Sequence, residues 1–361
     1  MIKVLHIIGS LNIGGAENFV VNLYKNIDKT KVRFDFIVYE QPEGKNNYYD
    51  EVIKNGAQIY YVTGKEHGFI RNFIQIKNIV RKNNYNIVWR HNNNCIGGID
   101  LIAAKLGGAR YRILHSHSNR CGKGEEWLHY LLRPVVNCFV TERYACSREA
   151  GNWMYGDRTF QIIHNAIDID KYKYNEEKRG ALRQAYHLTD AVVVGHVGRF
   201  HPVKNQKFLV EILKTMLRDN RHIRLVLVGG GKLEEEIKQY AIQLGVRENI
   251  LFLGDRNDVA DIMQMFDVFV LPSLFEGFGI AILEAQAEGI PCIAADSVPK
   301  ETNITGHIKY MSLNKSVEEW ALLIEKVSRE SRYNETIKIM QAGYDIKKVA
   351  STMQRRLQEM D

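Results

Sequence analysis

Val268-Phe269-Val270-Leu271-Pro272-Ser273-Leu274-Phe275-Glu276-Gly277-Phe278-Gly279-Ile280-Ala281-Ile282-Leu283-Glu284 runs from a short apolar, β-branched stretch through a loop into a second apolar stretch. The first part, Val268–Leu271, reads as a buried strand, and Gly279–Ala287 as a helix. Gly277 and Gly279 leave the backbone open at the helix start, where N–H groups can bind phosphate or sugar oxygens. Glu276 lies in the loop. Glu284 lies about one and a half turns into the helix and points back toward its N-terminus. Carboxylates accept hydrogen bonds from sugar or ribose hydroxyls. Glu284 is embedded among Ile280, Ala281, Ile282, Leu283 and Ala285, which does not suit a solvated carboxylate and favours a satisfied, functional one.

The same strand–loop–helix alternation extends in both directions. Toward the N-terminus it gives strands Val4–Ile8, Phe34–Tyr39, Ile59–Val62, Ile87–Arg90 and Tyr111–His115, with helices Ala16–Asn26, Phe69–Lys82 and Ile96–Leu106 among them. It pauses over the polar stretch Asn165–Ala185, read as a connection, and restarts with strands Ala191–Val197, Ile223–Val228, Ile250–Leu253 and Pro291–Ala294. Such alternation predicts an α/β protein with parallel sheets covered on both faces. With 361 residues, two domains are expected: 1–170 and 171–344, the amphipathic helix 345–361 returning to the first. Two doubly wound sheets in tandem can hold a ligand where their C-terminal strand edges face each other.

Composition excludes several classes. The chain is 45% hydrophobic and 25% charged, ordinary for a globular protein, and contains no apolar run long enough to span a membrane. Five scattered cysteines without a CxxC pair suit reduced thiols in a cytoplasmic protein. The net charge of +7 is lopsided: +6 over residues 1–170 and +1 over 171–361. That is either a generic basic surface or a first domain that meets an anionic lipid phosphate or membrane surface. No nucleic-acid motif accompanies it.

Three further stretches carry chemistry. Gly9-Ser10-Leu11-Asn12-Ile13-Gly14-Gly15-Ala16-Glu17 joins the first strand to the first helix; a phosphate or sugar loop, a plain tight turn, and a dinucleotide fingerprint with Glu40 all remain open, although the spacing departs from G-x-G-x-x-G. Gly198-Arg199-Phe200-His201-Pro202-Val203-Lys204-Asn205 places two cations after a strand, either to hold a pyrophosphate or as solvated surface charge. Arg112-Ile113-Leu114-His115-Ser116-His117-Ser118 puts two histidines on one face of a strand.

Together these pieces resemble the retaining glycosyltransferases of family 4, the glycosyl transferases group 1 enzymes, and most closely the bacterial capsular and exopolysaccharide transferases. Glu276 to Glu284 is similar to their E-x7-E motif. Gly198-Arg199 to Lys204-Asn205 is similar to their diphosphate clamp. Gly14-Gly15-Ala16-Glu17 resembles their first glycine loop. His164-Asn165-Ala166-Ile167-Asp168 resembles their connector, with Ala166 for the usual glycine. Val228-Gly229-Gly230-Gly231 and Phe252-Leu253-Gly254 resemble their donor-domain strand ends. The resemblance implies a GT-B fold, with an acceptor-binding domain and a nucleotide-sugar domain facing across a cleft that closes on the donor. It implies that Arg199 and Lys204 hold the donor diphosphate, Glu276 the transferred sugar and Glu284 the ribose. It places backbone at Phe278, Gly279 and Ile280 against sugar and phosphate, Arg256 and Asn257 beside the base, and Gly14 and Gly15 near the phosphates. Of the histidines, His117 takes the catalytic position and His115 supports it. The donor implied is a UDP-sugar, without a metal or other cofactor, since Arg199 and Lys204 do the cation's work. The acceptor implied is a saccharide or lipid-linked saccharide, reached by a chain at the inner face of a membrane. A nucleotide-sugar 2-epimerase and a non-catalytic nucleotide-sugar-binding relic are the rival readings. The segment around Trp127, Leu128, Tyr130, Leu131, Leu132 and Arg133 reads first as a core helix and second as a membrane contact.

Overall fold

The computed structural model describes residues 1–12, 14–42, 47–118, 124, 126–219 and 222–360. The chain divides into two units, Met1–Ile167 with Gly343–Asp361, and Asp168–Ala342. The break falls inside the stretch read as a connection.

The first unit is built on β1 (Ile2–Ile7), β2 (Val32–Val38), β3 (Ile59–Tyr61), β4 (Ile87–Asn92), β5 (Tyr111–Ser116), β6 (Glu142–Ala145) and β7 (Gln161–Ile162). They form one sheet in the order β3-β2-β1-β4-β5-β6-β7, parallel throughout. The central strands β1, β2, β4 and β5 are buried along most of their length, which is why their sequences are largely apolar runs rather than alternating ones. On one face Phe19, Val20 and Leu23 of the helix Gly15–Asn26 pack with Val4, Phe34 and Trp89. Ile346, Ala350, Met353 and Leu357 of the last helix, Ile346–Glu359, join the same cluster. That helix is tied in by the Ile346 N–H donating to the Ile167 carbonyl at 3.0 Å and the Asp28 N–H donating to Gln354 Oε1 at 2.8 Å. On the other face Leu5, Ile7 and Val88 meet Ile76, Val80, Leu101 and Ala104.

The second unit holds β8 (Val192–Val197), β9 (Ile223–Val228), β10 (Ile250–Phe252), β11 (Val268–Leu271), β12 (Cys292–Ala295) and β13 (Lys309–Met311), all parallel, in the order β10-β9-β8-β11-β12-β13. The strand order reverses between β8 and β11, so the loops leaving those two strands open a crevice at the C-terminal edge of the sheet.

Two expectations need correction. The polar stretch after Asn175 is not irregular: Glu176–Ala185 is a helix with no buried residue. Its signal is capping and charge rather than apolar period. Asn175 Oδ1 accepts from the Lys178 N–H at 2.8 Å, Glu176 and Glu177 occupy the first turn, and Arg179 and Arg183 pair with Asp267. The helix Glu126–Phe139 is not a core helix either. Trp127, Tyr130, Leu131 and Val135 lie on its outer face, with Trp127 67% and Leu131 61% exposed. Most of the loop before it lies outside the described residues. Among the described residues, no helix is long and apolar enough to cross a membrane.

Candidate functional site

At the switch point of the second sheet, the chain leaving β8 is fastened to the chain leaving β11. Gln206 Nε2 closes the first loop on itself through the Arg199 carbonyl at 2.8 Å; across to the second loop, the Leu274 N–H donates to the Val203 carbonyl at 2.8 Å and Asn205 Nδ2 donates to the Pro272 carbonyl at 3.2 Å. These bonds bring Lys204, on a short 3-10 turn, to Glu276. Lys204 Nζ donates to Glu276 Oε1 at 2.6 Å, and the Ser273 hydroxyl donates to the same oxygen at 2.6 Å. Glu276 is buried, whereas Arg199 is exposed and pairs with no carboxylate among the described residues. The loop after β9 crosses close above: at Gly229 a Cβ would stand 2.4 Å from the Gly198 carbonyl oxygen, and φ is +128°. Only glycine tolerates both conditions.

The helix after β11 begins at Ile280, one residue later than expected, because Gly279 caps it with φ +85°. Thr302 Oγ1 donates to the Phe278 carbonyl at 2.6 Å, and Gln286 Nε2 donates to the Thr302 carbonyl at 2.9 Å, which fixes the loop on the helix it precedes. Glu284 is buried on that helix, its Oε1 accepting from the Tyr172 hydroxyl at 2.6 Å. Burial pushes its carboxyl up to about 7, with the tyrosine bond opposing. One turn on, burial pushes Glu288 up to about 9, opposed by Arg332 at 3.5 Å. Arg256 is held in a two-bond fork by Asp258, at 2.8 and 2.6 Å, and Asn257 is exposed.

The crevice therefore gathers Lys204, Glu276, Ser273 and the open backbone around Gly279, with Glu284 and Tyr172 on the same helix–turn packing. It offers cationic and N–H donors for an anion and carboxylate acceptors for hydroxyls. Ser273 and Tyr172 were not singled out from sequence. Ser273 is an unremarkable loop serine, and Tyr172 comes from the connection more than 100 residues before its partner, a pairing that only folding reveals.

In the first unit Gly14 caps the helix Gly15–Asn26 in extended conformation, φ −164°, which any residue can adopt. His115 is buried at the end of β5, and neither of its ring nitrogens has a formed hydrogen bond among the described residues. His117 follows the strand, half-buried, with its ring 4.1 Å from that of His115. Its Nε2 is 2.9 Å from Nδ1 of His91. One nitrogen from each of His91, His115 and His117 lies within 4.8 Å of the others. Sequence spacing hid that grouping because His91 sits on the neighbouring strand, in register with His115.

The glycosyl transferases group 1 family matches residues 179–342. The putative glycosyltransferase EpsF of Bacillus subtilis is 33% identical over 95% of this chain and 93% of its own length. The UDP-Gal:alpha-D-GlcNAc-diphosphoundecaprenol alpha-1,3-galactosyltransferase of Escherichia coli is 29% identical over 63% of this chain and 62% of its own. Among solved structures, Anabaena Alr3699/HepE in complex with UDP and glucose superposes with a TM-score of 0.77 at 20% identity, covering 99% of both chains. Two parallel-sheet α/β units of this kind constitute the GT-B fold.

Proposed function

The chain belongs to the glycosyl transferases group 1 family and is a glycosyltransferase, and from that premise we propose that it transfers a hexose or N-acetylhexosamine from a UDP-sugar, with retention of anomeric configuration, to a saccharide or lipid-linked saccharide in surface polysaccharide synthesis. The observation that carries this reading is the Lys204–Glu276–Ser273 cluster at the β8/β11 switch point, beside a helix start opened by Gly279. Lys204 and the exposed Arg199 supply cations where negative charge develops on a departing diphosphate. Glu276, already ordered by Ser273, accepts from hydroxyls of the transferred sugar. Glu284, ordered by Tyr172, accepts from the ribose. His117 is assigned as the catalytic group of the first unit. UDP as the nucleotide is supported by the donor named for the E. coli relative and by UDP in the Anabaena structure.

The reading needs no metal, because the two cations take the diphosphate charge. A lipid-linked acceptor is supported by the E. coli relative's diphosphoundecaprenol substrate. It also suits the outward apolar face of the helix Glu126–Phe139 on the basic first unit, which we assign to peripheral contact with an anionic membrane. The test is a calorimetric and thermal-shift panel of UDP, GDP, ADP, NAD and the common UDP-sugars, with and without EDTA. Stabilisation by one UDP-sugar, insensitive to EDTA, is expected. Silence toward every nucleotide, or binding abolished by EDTA, refutes the reading.

A further inference from the structure

Three imidazoles line up through the first sheet. His6 on β1 places Nδ1 at 2.9 Å from Nε2 of His91 on β4, and His91 places Nδ1 at 2.9 Å from Nε2 of His117. Both distances are those of formed hydrogen bonds. Nitrogens sharing a tetrahedral zinc at about 2.0–2.1 Å would stand roughly 3.3 Å apart, so the spacing is that of direct bonding. All three rings are neutral near pH 7. Burial pulls His6 down to about 3, His117 to about 4 and His91 well below its ordinary value. A neutral imidazole has one N–H and one lone pair. Two bonds in series therefore allow only two proton orders, and each runs in a single direction along the chain.

The ends decide between them. His6 Nε2 is buried among Phe34, Phe36 and Trp89, with no hydrogen-bond partner among the described residues. At the other end, His117 Nδ1 and Asn165 Oδ1 are both buried, with no formed bond among the described residues. Asn165 nevertheless lies close enough to favour the protonated His117, although their present geometry falls short of a full hydrogen bond. If the protons run from His117 toward His6, an N–H is stranded beside the phenyl rings and a bare Nδ1 faces the Asn165 oxygen. If they run from His6 toward His117, the inner end strands only a lone pair and Nδ1–H points at an acceptor. Stranded donors are the costlier fault.

We infer that the chain His6→His91→His117 is an ordered tautomer lock, in which His91 donates to His117 Nε2 and holds His117 as the Nδ1–H form. His91 is thus a positioning residue: it makes His117 a fixed hydrogen-bond donor rather than a base. Its bearing on turnover rests on the glycosyl-transfer reading above; the tautomer itself does not.

The test uses the full chain labelled with 15N-histidine, with resonances assigned by single His→Gln variants. Long-range 1H–15N correlation is expected to show His117 protonated at Nδ1 and bare at Nε2. His91→Phe removes the donor, so His117 becomes a tautomer mixture, and kcat for sugar transfer falls by at least about tenfold. His91→Asn restores both, because its amide N–H replaces Nδ1–H. Thermal melts of both variants report folding. Should His91→Phe fail to fold, His6→Phe serves, with the same loss of tautomer order expected. An Nε2–H tautomer in the wild-type chain overturns the inference. So does equal impairment of two folded variants, Phe and Asn. So does stoichiometric Zn2+ binding that His91→Phe abolishes, since an ion would take the lone pairs the chain uses. If no donor sugar is ever found, the correlation spectra still decide the lock while the transfer reading fails separately.

Discussion

The donor site is expected to titrate, and Glu284 sets where. Its carboxyl is buried, accepts one hydrogen bond from Tyr172, and is pushed from its ordinary 4.5 up to about 7. A ribose hydroxyl donates to a carboxylate and gains less from a carboxylic acid. Apparent affinity for a UDP-sugar should therefore fall as the group is protonated, by about tenfold between pH 8 and pH 6. A UDP-sugar suits this measurement better than UDP, because its diphosphate diester does not titrate in that window. Stability moves the other way. A carboxyl whose folded value is raised stabilises the fold at low pH and loses that contribution as pH rises toward 7. Replacing it by glutamine, which keeps an acceptor for Tyr172, should add under about 1 kcal/mol at pH 5 and about 3 kcal/mol at pH 8. Glu288 titrates nearby and owes part of its rise to Glu284, so the quantity to read is the difference between wild type and Glu284→Gln, in which the burial part of that background cancels. Calorimetry of UDP-sugar binding and thermal melts from pH 5 to 8 supply both curves. A flat wild-type affinity profile, or a Glu284→Gln variant that keeps the wild-type slope, refutes the assignment.

Other outcomes follow from the same geometry. Lys204→Ala should weaken UDP-sugar binding about tenfold or more, since it removes a cation from the diphosphate; unchanged affinity in calorimetry takes Lys204 out of the site. Gly279→Ala should cost about 1–2 kcal/mol of stability through its left-handed backbone alone, because the new Cβ meets Leu271 and Ile282 at 3.4 and 3.5 Å, ordinary contact distances; a melting temperature equal to wild type contradicts this. Trp127→Glu with Leu131→Glu should reduce co-sedimentation with phosphatidylglycerol vesicles while leaving UDP-sugar binding unchanged, and undiminished sedimentation removes that helix face from the membrane contact.

The parts that were legible in sequence share one property: their signal is local. Val268–Glu284 announces strand, loop and helix within seventeen residues, and the Gly198–Asn205 loop carries its two cations side by side. The helix Glu176–Ala185 escaped because its only large apolar side chain is Leu182, half-buried against the core; its cap and its acidic first turn mark it. Lys204 and Glu276 could each be named, yet nothing in the spacing of residues 72 positions apart said that they would pair. The histidine chain was half visible. His117 could be named from the end of its strand, but His91 and His6 reach it only once the strand order β1-β4-β5 is fixed, and strand order is a tertiary fact.

The pairing of Lys204 with Glu276 gives the donor site a property that neither residue has alone. In the free protein the lysine is held by a buried carboxylate that also accepts from Ser273. On the proposed reading, a diphosphate draws Lys204 away, leaving Glu276 buried with Ser273 as its remaining partner. A buried charge that loses a partner is costly, unless hydroxyls of the transferred sugar take the lysine's place. UDP alone should therefore bind with part of its diphosphate attraction cancelled, and the intact UDP-sugar should recover it. Glu276→Ala removes the carboxylate and with it the penalty. Its affinity for UDP should match or exceed that of wild type, while the gap between UDP-sugar and UDP narrows and transfer falls by about a hundredfold or more. Calorimetry with both ligands on both proteins reads the gap directly. If Glu276→Ala loses UDP and UDP-sugar affinity in equal measure, the carboxylate is a scaffold for Lys204 and not a sugar contact.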